Sequence, residues 1–174
     1  MKKIRVAING FGRIGRAFVK VARENPDIEV VAINDLGNIN NFAYLLKYDT
    51  AYGVSPFEVS AQGDSLVVDG HAIKFISEKE PTKLPWKDMD IDVVVESTGL
   101  FTSSEKAKMH IDAGAKRVVV SAPVKDDPAS AVQGVTVLMG MNEDKLKDSQ
   151  ISSNASCTTN AGSPLIAILD EALG

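Results

Sequence analysis

Two stretches of the chain hold residue types whose spacing suits chemistry. In the first, Gly10-Phe11-Gly12-Arg13-Ile14-Gly15 fits the pattern G-x-G-x-x-G, after an apolar run and at the start of a helical one. Gly10 permits a tight turn, Gly12 has no Cβ and lets backbone approach a pyrophosphate, and Gly15 lets the helix lie close to a sheet. The phosphates then meet the free N–H groups and positive end of that helix. Asp35 ends the next apolar run, about twenty residues on, where a carboxylate accepts from the adenosine ribose and repels a 2′-phosphate. A glycine turn alone would be ordinary packing. Strand, glycines, helix, strand and acid in this order point to a dinucleotide, and to NAD over NADP.

The second stretch is Ser153-Asn154-Ala155-Ser156-Cys157-Thr158-Thr159-Asn160, with the sequence's one cysteine. A lone cysteine makes no internal disulfide, and out of context it reads as a small buried hydrophobe. Here Leu165, Ile168, Leu169 and Leu173 recur at helical spacing after it, so Cys157 lies near a helix N-terminus. Partial positive charge there favours thiolate over thiol, and backbone N–H groups can hold a developing oxyanion. Thr158 and Thr159 add hydroxyls that could bind an anion or cap the helix. Cys157 therefore reads as a nucleophile. Beside a nicotinamide it suits aldehyde oxidation: attack gives a thiohemiacetal, hydride departs, and water or phosphate resolves the thioester. Pro164 stands inside the pattern, so the expected helix is kinked or begins nearer Ser163. No partner base is evident: His71 falls in a hairpin region and His110 in a helix, and both read as surface or boundary histidines.

Other elements must hold these residues. Residues 6–8, 30–33, 93–95 and 118–120 sit in short Val/Ile-rich runs that suit parallel strands covered on both faces. Residues 13–24 carry Ile14, Phe18, Val21 and Ala22 at helical spacing, and Asn25-Pro26-Asp27 ends them, giving a right-handed βαβ unit. Residues 57–76 alternate around Gly63-Asp64 and Asp69-Gly70, an antiparallel excursion. Residues 103–113 read as a helix capped by Ser103 or Ser104 and closed by Gly114, followed by strands over 116–120, 135–139 and 151–153. The expected fold class is α/β, a Rossmann-type doubly wound, mostly parallel sheet with an antiparallel hairpin excursion. Residues 1–153 would form the NAD-binding domain, and 154–174 the cysteine loop and first helix of a catalytic domain. Ligands in such sheets lie beyond the carboxyl ends of strands. Thr98, Gly99 and Ser121 are thus candidate cofactor contacts, with capping and turn formation as the alternative.

The 174 residues fit one domain, or one domain and the start of another; 44% are hydrophobic, enough for a core. A net charge of −4 without long like-charge blocks speaks against nucleic-acid and membrane-surface partners. The apolar run after Met-Lys-Lys is too short for a signal h-region or a span, so a cytoplasmic location is expected. No metal site is expected.

Asn9-Gly10-Phe11-Gly12-Arg13-Ile14-Gly15-Arg16, Ala32-Ile33-Asn34-Asp35, Lys47-Tyr48-Asp49-Thr50, Glu96-Ser97-Thr98-Gly99, Ser121-Ala122-Pro123 and the 153–160 stretch resemble the phosphorylating glyceraldehyde-3-phosphate dehydrogenases, over residues 3 to 160. The resemblance is to their amino-terminal half. It implies that Cys157 forms the thiohemiacetal and the acyl-enzyme. It implies NAD contacts from Asn9, Gly10, Phe11, Gly12, Arg13, Ile14, Asp35, Lys79, Thr98, Gly99 and Ser121, with Ser156 and Thr158 holding substrate or inorganic phosphate. The whole enzyme would be a homotetramer of glycolysis or gluconeogenesis, making 1,3-bisphosphoglycerate from glyceraldehyde 3-phosphate. The family's histidine base, its phosphate-binding arginine and threonine, its nicotinamide-binding asparagine and its C-terminal helix would fall after Gly174. This chain alone is then expected to bind NAD weakly, if at all, to turn over negligibly and to leave an apolar face uncovered. Ala161 stands where many relatives carry a second cysteine, which removes an oxidation partner and spares the nucleophile; Gly162-Ser163 predicts a looser helix start. Rival readings are an erythrose-4-phosphate dehydrogenase, a non-catalytic NAD-binding module and a redox sensor built on Cys157.

Overall fold

Val- and Ile-rich runs with apolar residues on both sides can sit only in the middle of a covered sheet, and they do. The computed structural model describes residues 2–174. Its strands are β1 (Ile4–Asn9), β2 (Ile28–Asn34), β3 (Tyr48–Asp49), β4 (Gly53–Val54), β5 (Val59–Gln62), β6 (Ser65–Val68), β7 (His71–Ile76), β8 (Val93–Glu96), β9 (Arg117–Val120), β10 (Val135–Thr136) and β11 (Ile151–Ser153). Its α-helices are α1 (Arg13–Ala22), α2 (Ile39–Lys47), α3 (Ser104–Asp112) and α4 (Cys157–Leu173). The main sheet runs β10-β11-β9-β8-β1-β2-β7-β6-β5, and β3 and β4 form a separate antiparallel pair. From β10 to β7 every pairing is parallel, and β7-β6-β5 is the antiparallel excursion expected from the turn residues. The α/β class and the hairpins are as the sequence predicts.

Alternation along the strands divides the core. Val6, Ile8 and Ile33 face one layer with Phe11, Val19, Phe42 and Leu46. Ala7, Ala32, Val94 and Val118 face the other with Trp86, Ile91 and Ala107.

Several boundaries differ from expectation. Helix α1 buries Gly15, Val19 and Ala22, whereas Ile14 and Val21 are 55% and 72% exposed. The close seat of Gly15 fixes which face turns inward, and Ile14 and Val21 fall outside that face. The strand expected over 135–139 shrinks to Val135–Thr136, and the chain turns at Gly140, leaving Met139 exposed. Helix α2 was not foreseen; Asn38 caps it by accepting from the N–H groups of Asn40 and Asn41, and Phe42, Ala43 and Leu46 form its buried face. Ser103, not Ser104, caps α3, accepting from Lys106 N. Helix α4 starts at Cys157 and continues through Pro164, so the expected late start is overturned. The proline deprives only the Asn160 carbonyl of its helical donor. None of α4's residues is buried, and Leu165, Ile166, Ile168 and Leu169 lie open to solvent. Among the described residues no helix is long and apolar enough to cross a membrane.

Candidate functional site

The parallel strands end on one edge, and the residues singled out in the sequence follow those ends. Strand β1 lies between β2 and β8, so a crevice opens where the chain leaves β1. Gly10 turns there at φ +93°, and a Cβ on it would stand 2.7 Å from Thr98 N. A Cβ on Gly15 would stand 2.3 Å from the Gly10 carbonyl oxygen. The turn, the segment after β8 and helix α1 therefore interlock through glycine. Gly12 differs: a Cβ there would meet nothing within 4 Å, because it faces open space. Gly12 is also the N-cap of α1 and has no side chain, so the first-turn N–H groups are uncapped. Before them lies a cleft of about 380 Å³. Asn9, Gly10 and Gly12 form its floor; Asp35, Leu36, Glu78 and Lys79 line the β2–β7 side; Ser97, Thr98, Leu100 and Phe101 line the β8 side.

Asp35 Oδ2 accepts from Phe11 N at 2.7 Å and Oδ1 from Gly37 N at 3.0 Å. Each carboxylate oxygen has a further acceptor position, so the acid braces the glycine turn and can still take hydroxyls. Arg16 holds the turn from behind, its Nη1 donating to Phe11 O at 2.9 Å. Burial pushes the Arg16 guanidinium below its ordinary value, against the pull of Asp49 and Asp35.

Beneath the floor lies a row of polar side chains the sequence did not announce. Asn34, Asn9 and Glu96 end three adjacent strands in register and are 5%, 2% and 1% exposed. Asn9 Nδ2 donates to Glu96 Oε2 at 2.6 Å, and Asn34 Nδ2 donates to Asn9 Oδ1 at 2.7 Å. His110 joins the row from α3, its Nε2 lying 3.0 Å from Glu96 Oε2, and Trp86 Nε1 donates to His110 Nδ1 at 3.1 Å. His110 is fully buried, which corrects its expected place at the surface or boundary; α3 packs it against the sheet where Glu96 receives it. His71 is exposed, as expected.

Among the expected cofactor residues, Asn9, Gly10, Gly12, Asp35, Lys79 and Thr98 converge on the cleft. Arg13, Ile14 and Gly99 are exposed beside it, and Ser121 is half-buried after β9, outside the cleft lining. The Asn9 amide points into the buried row. The Phe11 ring packs edge-on against Phe42 at 5.6 Å, and both its backbone polar groups already have protein partners. Farther along the edge, Ala155 takes φ +57° and Ser156 caps α4, its Oγ accepting from Thr159 N at 3.0 Å. Cys157 is exposed in the first turn, and the Thr158 hydroxyl lies 2.9 Å from Ser156 Oγ. Neither histidine has a hydrogen bond to Cys157.

Residues 4–104 match the family model described as Glyceraldehyde 3-phosphate dehydrogenase, NAD binding domain. The chain belongs to the glyceraldehyde-3-phosphate dehydrogenase family. It is 50% identical over 98% of its length to the glyceraldehyde-3-phosphate dehydrogenase of Thermotoga maritima. It is 48% identical to that of Geobacillus stearothermophilus and 48% identical to the cytosolic enzyme of Trypanosoma brucei brucei, again over 98% of its length. The chain spans about half the length of these curated relatives, 50% in each case. NAD is the cofactor of this glyceraldehyde-3-phosphate dehydrogenase domain, and the residues present fit it: an open approach at Gly12, uncapped helix N–H groups and an acid with spare acceptor positions. The residues missed were those whose role is to hold others, namely Arg16, Asn34, Glu96 and His110. The available signal was a polar residue ending each of three apolar runs.

Proposed function

We propose that the chain is the cofactor-binding half of an NAD-dependent dehydrogenase that oxidises glyceraldehyde 3-phosphate to 1,3-bisphosphoglycerate in the cytoplasm, with Cys157 as its nucleophile. Residues 1–153 make the NAD-binding domain, and 154–174 open the catalytic one. Asp35 takes the adenosine ribose hydroxyls on its spare acceptor positions, and its charge disfavours a 2′-phosphate. Gly12 and the first-turn amides of α1 receive the pyrophosphate, flanked by Arg13 and Ile14; Lys79 and Thr98 close the adenosine end, and Gly99 and Ser121 lie on the path toward Cys157. The observation that carries this reading is the shared edge: β1, β8, β9 and β11 are successive parallel strands, so the Cys157 loop lies three strand spacings, about 14 Å, from the glycine turn.

Cys157 adds through Sγ to the aldehyde carbon, and the first-turn N–H groups of α4 that the Ser156 cap leaves free stabilise the oxyanion. NAD held at Asp35, Gly12 and the first-turn amides of α1 would supply the hydride acceptor. A thioester on Cys157 remains, and inorganic phosphate held by Ser156 and Thr158 attacks it, releasing the acyl phosphate and restoring the thiolate. The whole protein assembles as a homotetramer. Because neither histidine reaches Cys157, no base is at hand among the described residues, and this chain alone turns over negligibly. The test has two parts. Calorimetric titration is expected to give NAD at least about tenfold preference over NADP; equal affinity refutes the role of Asp35. In protein extended to the relatives' length, glyceraldehyde 3-phosphate, NAD and arsenate should yield NADH, and Cys157→Ser should abolish it. Retained turnover in that variant, or faster turnover of erythrose 4-phosphate, overturns the assignment.

A further inference from the structure

We propose that Glu96 is a positioning residue for the dinucleotide, one buried carboxylate that sets both sides of the cofactor cleft. The inference rests on the cleft being the NAD site.

The protonation pattern follows from the donors. An indole nitrogen can only donate, so Trp86 Nε1 makes His110 Nδ1 an acceptor. The ring proton then sits on Nε2 and is donated to Glu96 Oε2. The contact is a neutral imidazole on a carboxylate rather than an ion pair. Glu96 Oε2 also accepts from Asn9 Nδ2, and Oε1 accepts from the Thr98 N–H at 2.8 Å and from the Thr98 hydroxyl. All four acceptor positions of the carboxylate are filled, and among the described residues no Lys or Arg pairs with it. Such a group is expensive to bury unless every lone pair is answered, which makes its geometry stiff.

Each oxygen commands one side of the cleft. From Oε1 the link runs to Thr98, whose hydroxyl accepts from Leu100 N at 3.0 Å, fixing the β8 side. From Oε2 it runs through Asn9 to Asn34, whose amide takes both polar groups of the Glu78 backbone, donating to its carbonyl and accepting from its N–H, each at 2.9 Å. That fixes the segment carrying Lys79. Thr98 in turn lies over Gly10, within the distance a Cβ would forbid. Cleft width and the seat of the glycine turn thus depend on one side chain that no cofactor atom need touch.

The test is Glu96→Gln, which keeps the shape and turns one acceptor oxygen into a donor facing donors. Two quantities are read in protein extended to the relatives' length: NAD affinity by calorimetry, and hydrogen exchange of the amides of residues 97–101 without NAD. The expected result is affinity weakened about tenfold or more with faster exchange in that segment, while circular dichroism stays native. Wild type that binds NAD beside a variant that binds it equally overturns the positioning role and leaves the cofactor reading standing. Wild type that does not bind NAD defeats both. If Glu96→Gln does not fold, Thr98→Val decides on the exchange read without NAD, because it deletes the hydroxyl link to Oε1 and a direct contact to the cofactor does not move that readout. It should weaken NAD about threefold or more and speed exchange at Leu100, and unchanged values refute the proposal.

Discussion

The glycine loop allows a paired experiment in which one substitution tests the fold and its neighbour tests the ligand. Gly10→Ala places a Cβ 2.7 Å from Thr98 N and 2.8 Å from the Ser97 carbonyl carbon, both backbone atoms, at φ +93°. The left-handed conformation costs about 1–3 kcal/mol for a residue with a Cβ, and overpacking against backbone costs about 1–3 kcal/mol more. A loss of about 2–6 kcal/mol is a large share of a typical 5–15 kcal/mol stability and lowers Tm by roughly 5–20 °C in a chain of this size. Gly12→Ala adds the same methyl where nothing stands within 4 Å and φ is −70°. Its stability should stay within about 0.5 kcal/mol of wild type. Its methyl, however, points into the space assigned to the pyrophosphate, and a clash of about 1–3 kcal/mol weakens NAD about 5- to 150-fold. Thermal melts by circular dichroism and calorimetric NAD titration separate the two effects. A Gly12→Ala protein that binds NAD like wild type would refute the placement of the pyrophosphate, and a Gly10→Ala protein that melts like wild type would refute the interlock with Thr98.

Two further outcomes follow from the surface and the helix ends. Ser156→Ala removes the α4 cap and costs about 1 kcal/mol; because α4 buries nothing, the loss should appear as faster hydrogen exchange over residues 157–160 with Tm almost unmoved, and unaltered exchange contradicts it. Lys2 and Lys116 hold the Asp90 carboxyl down at about 2, against an ordinary 3.8. A depressed folded-state value stabilises above the unfolded value and is lost on acidification, so this contribution is present above about pH 4 and fades toward about pH 2. Lys116→Met should lower Tm above that window and flatten its slope within it; melts at stepped pH check this, and a slope equal to wild type refutes it.

What the sequence made legible was what the backbone decides locally. Gly10, Gly12 and Gly15 are required by a positive φ, an open approach and a close contact within a few residues of each other, and Asp35 follows the same βαβ unit. The β-branched runs read as strands because both their faces are covered, and Gly63 and Gly70 marked the hairpins because their turns need positive φ. Helix α2 went unseen since Asn40 and Asn41 interrupt its apolar spacing, leaving only its Asn38 cap as a signal. Pro164 misled because a proline withdraws one helical donor and can be passed with a kink instead of ending the helix, and α4 continues through it.

The buried row lay beyond sequence reasoning for a different reason. Asn9 and Glu96 are 87 residues apart, and their contact exists only because β8 lies beside β1 in a register that sets Asn9 against Glu96. Shifting that pairing by one residue would turn the carboxylate to the other face of the sheet, toward the layer of Val6, Ile8 and Phe11 and away from Asn9 Nδ2 and His110. The cost of stranding Glu96 there adds to the backbone ladder and the apolar alternation that hold β8 against β1. The same pairing brings Thr98 over Gly10, so the residues that support the register of the sheet also shape the cleft proposed for the cofactor, and a substitution in the row that leaves the strand ladder intact should be felt first in ligand affinity.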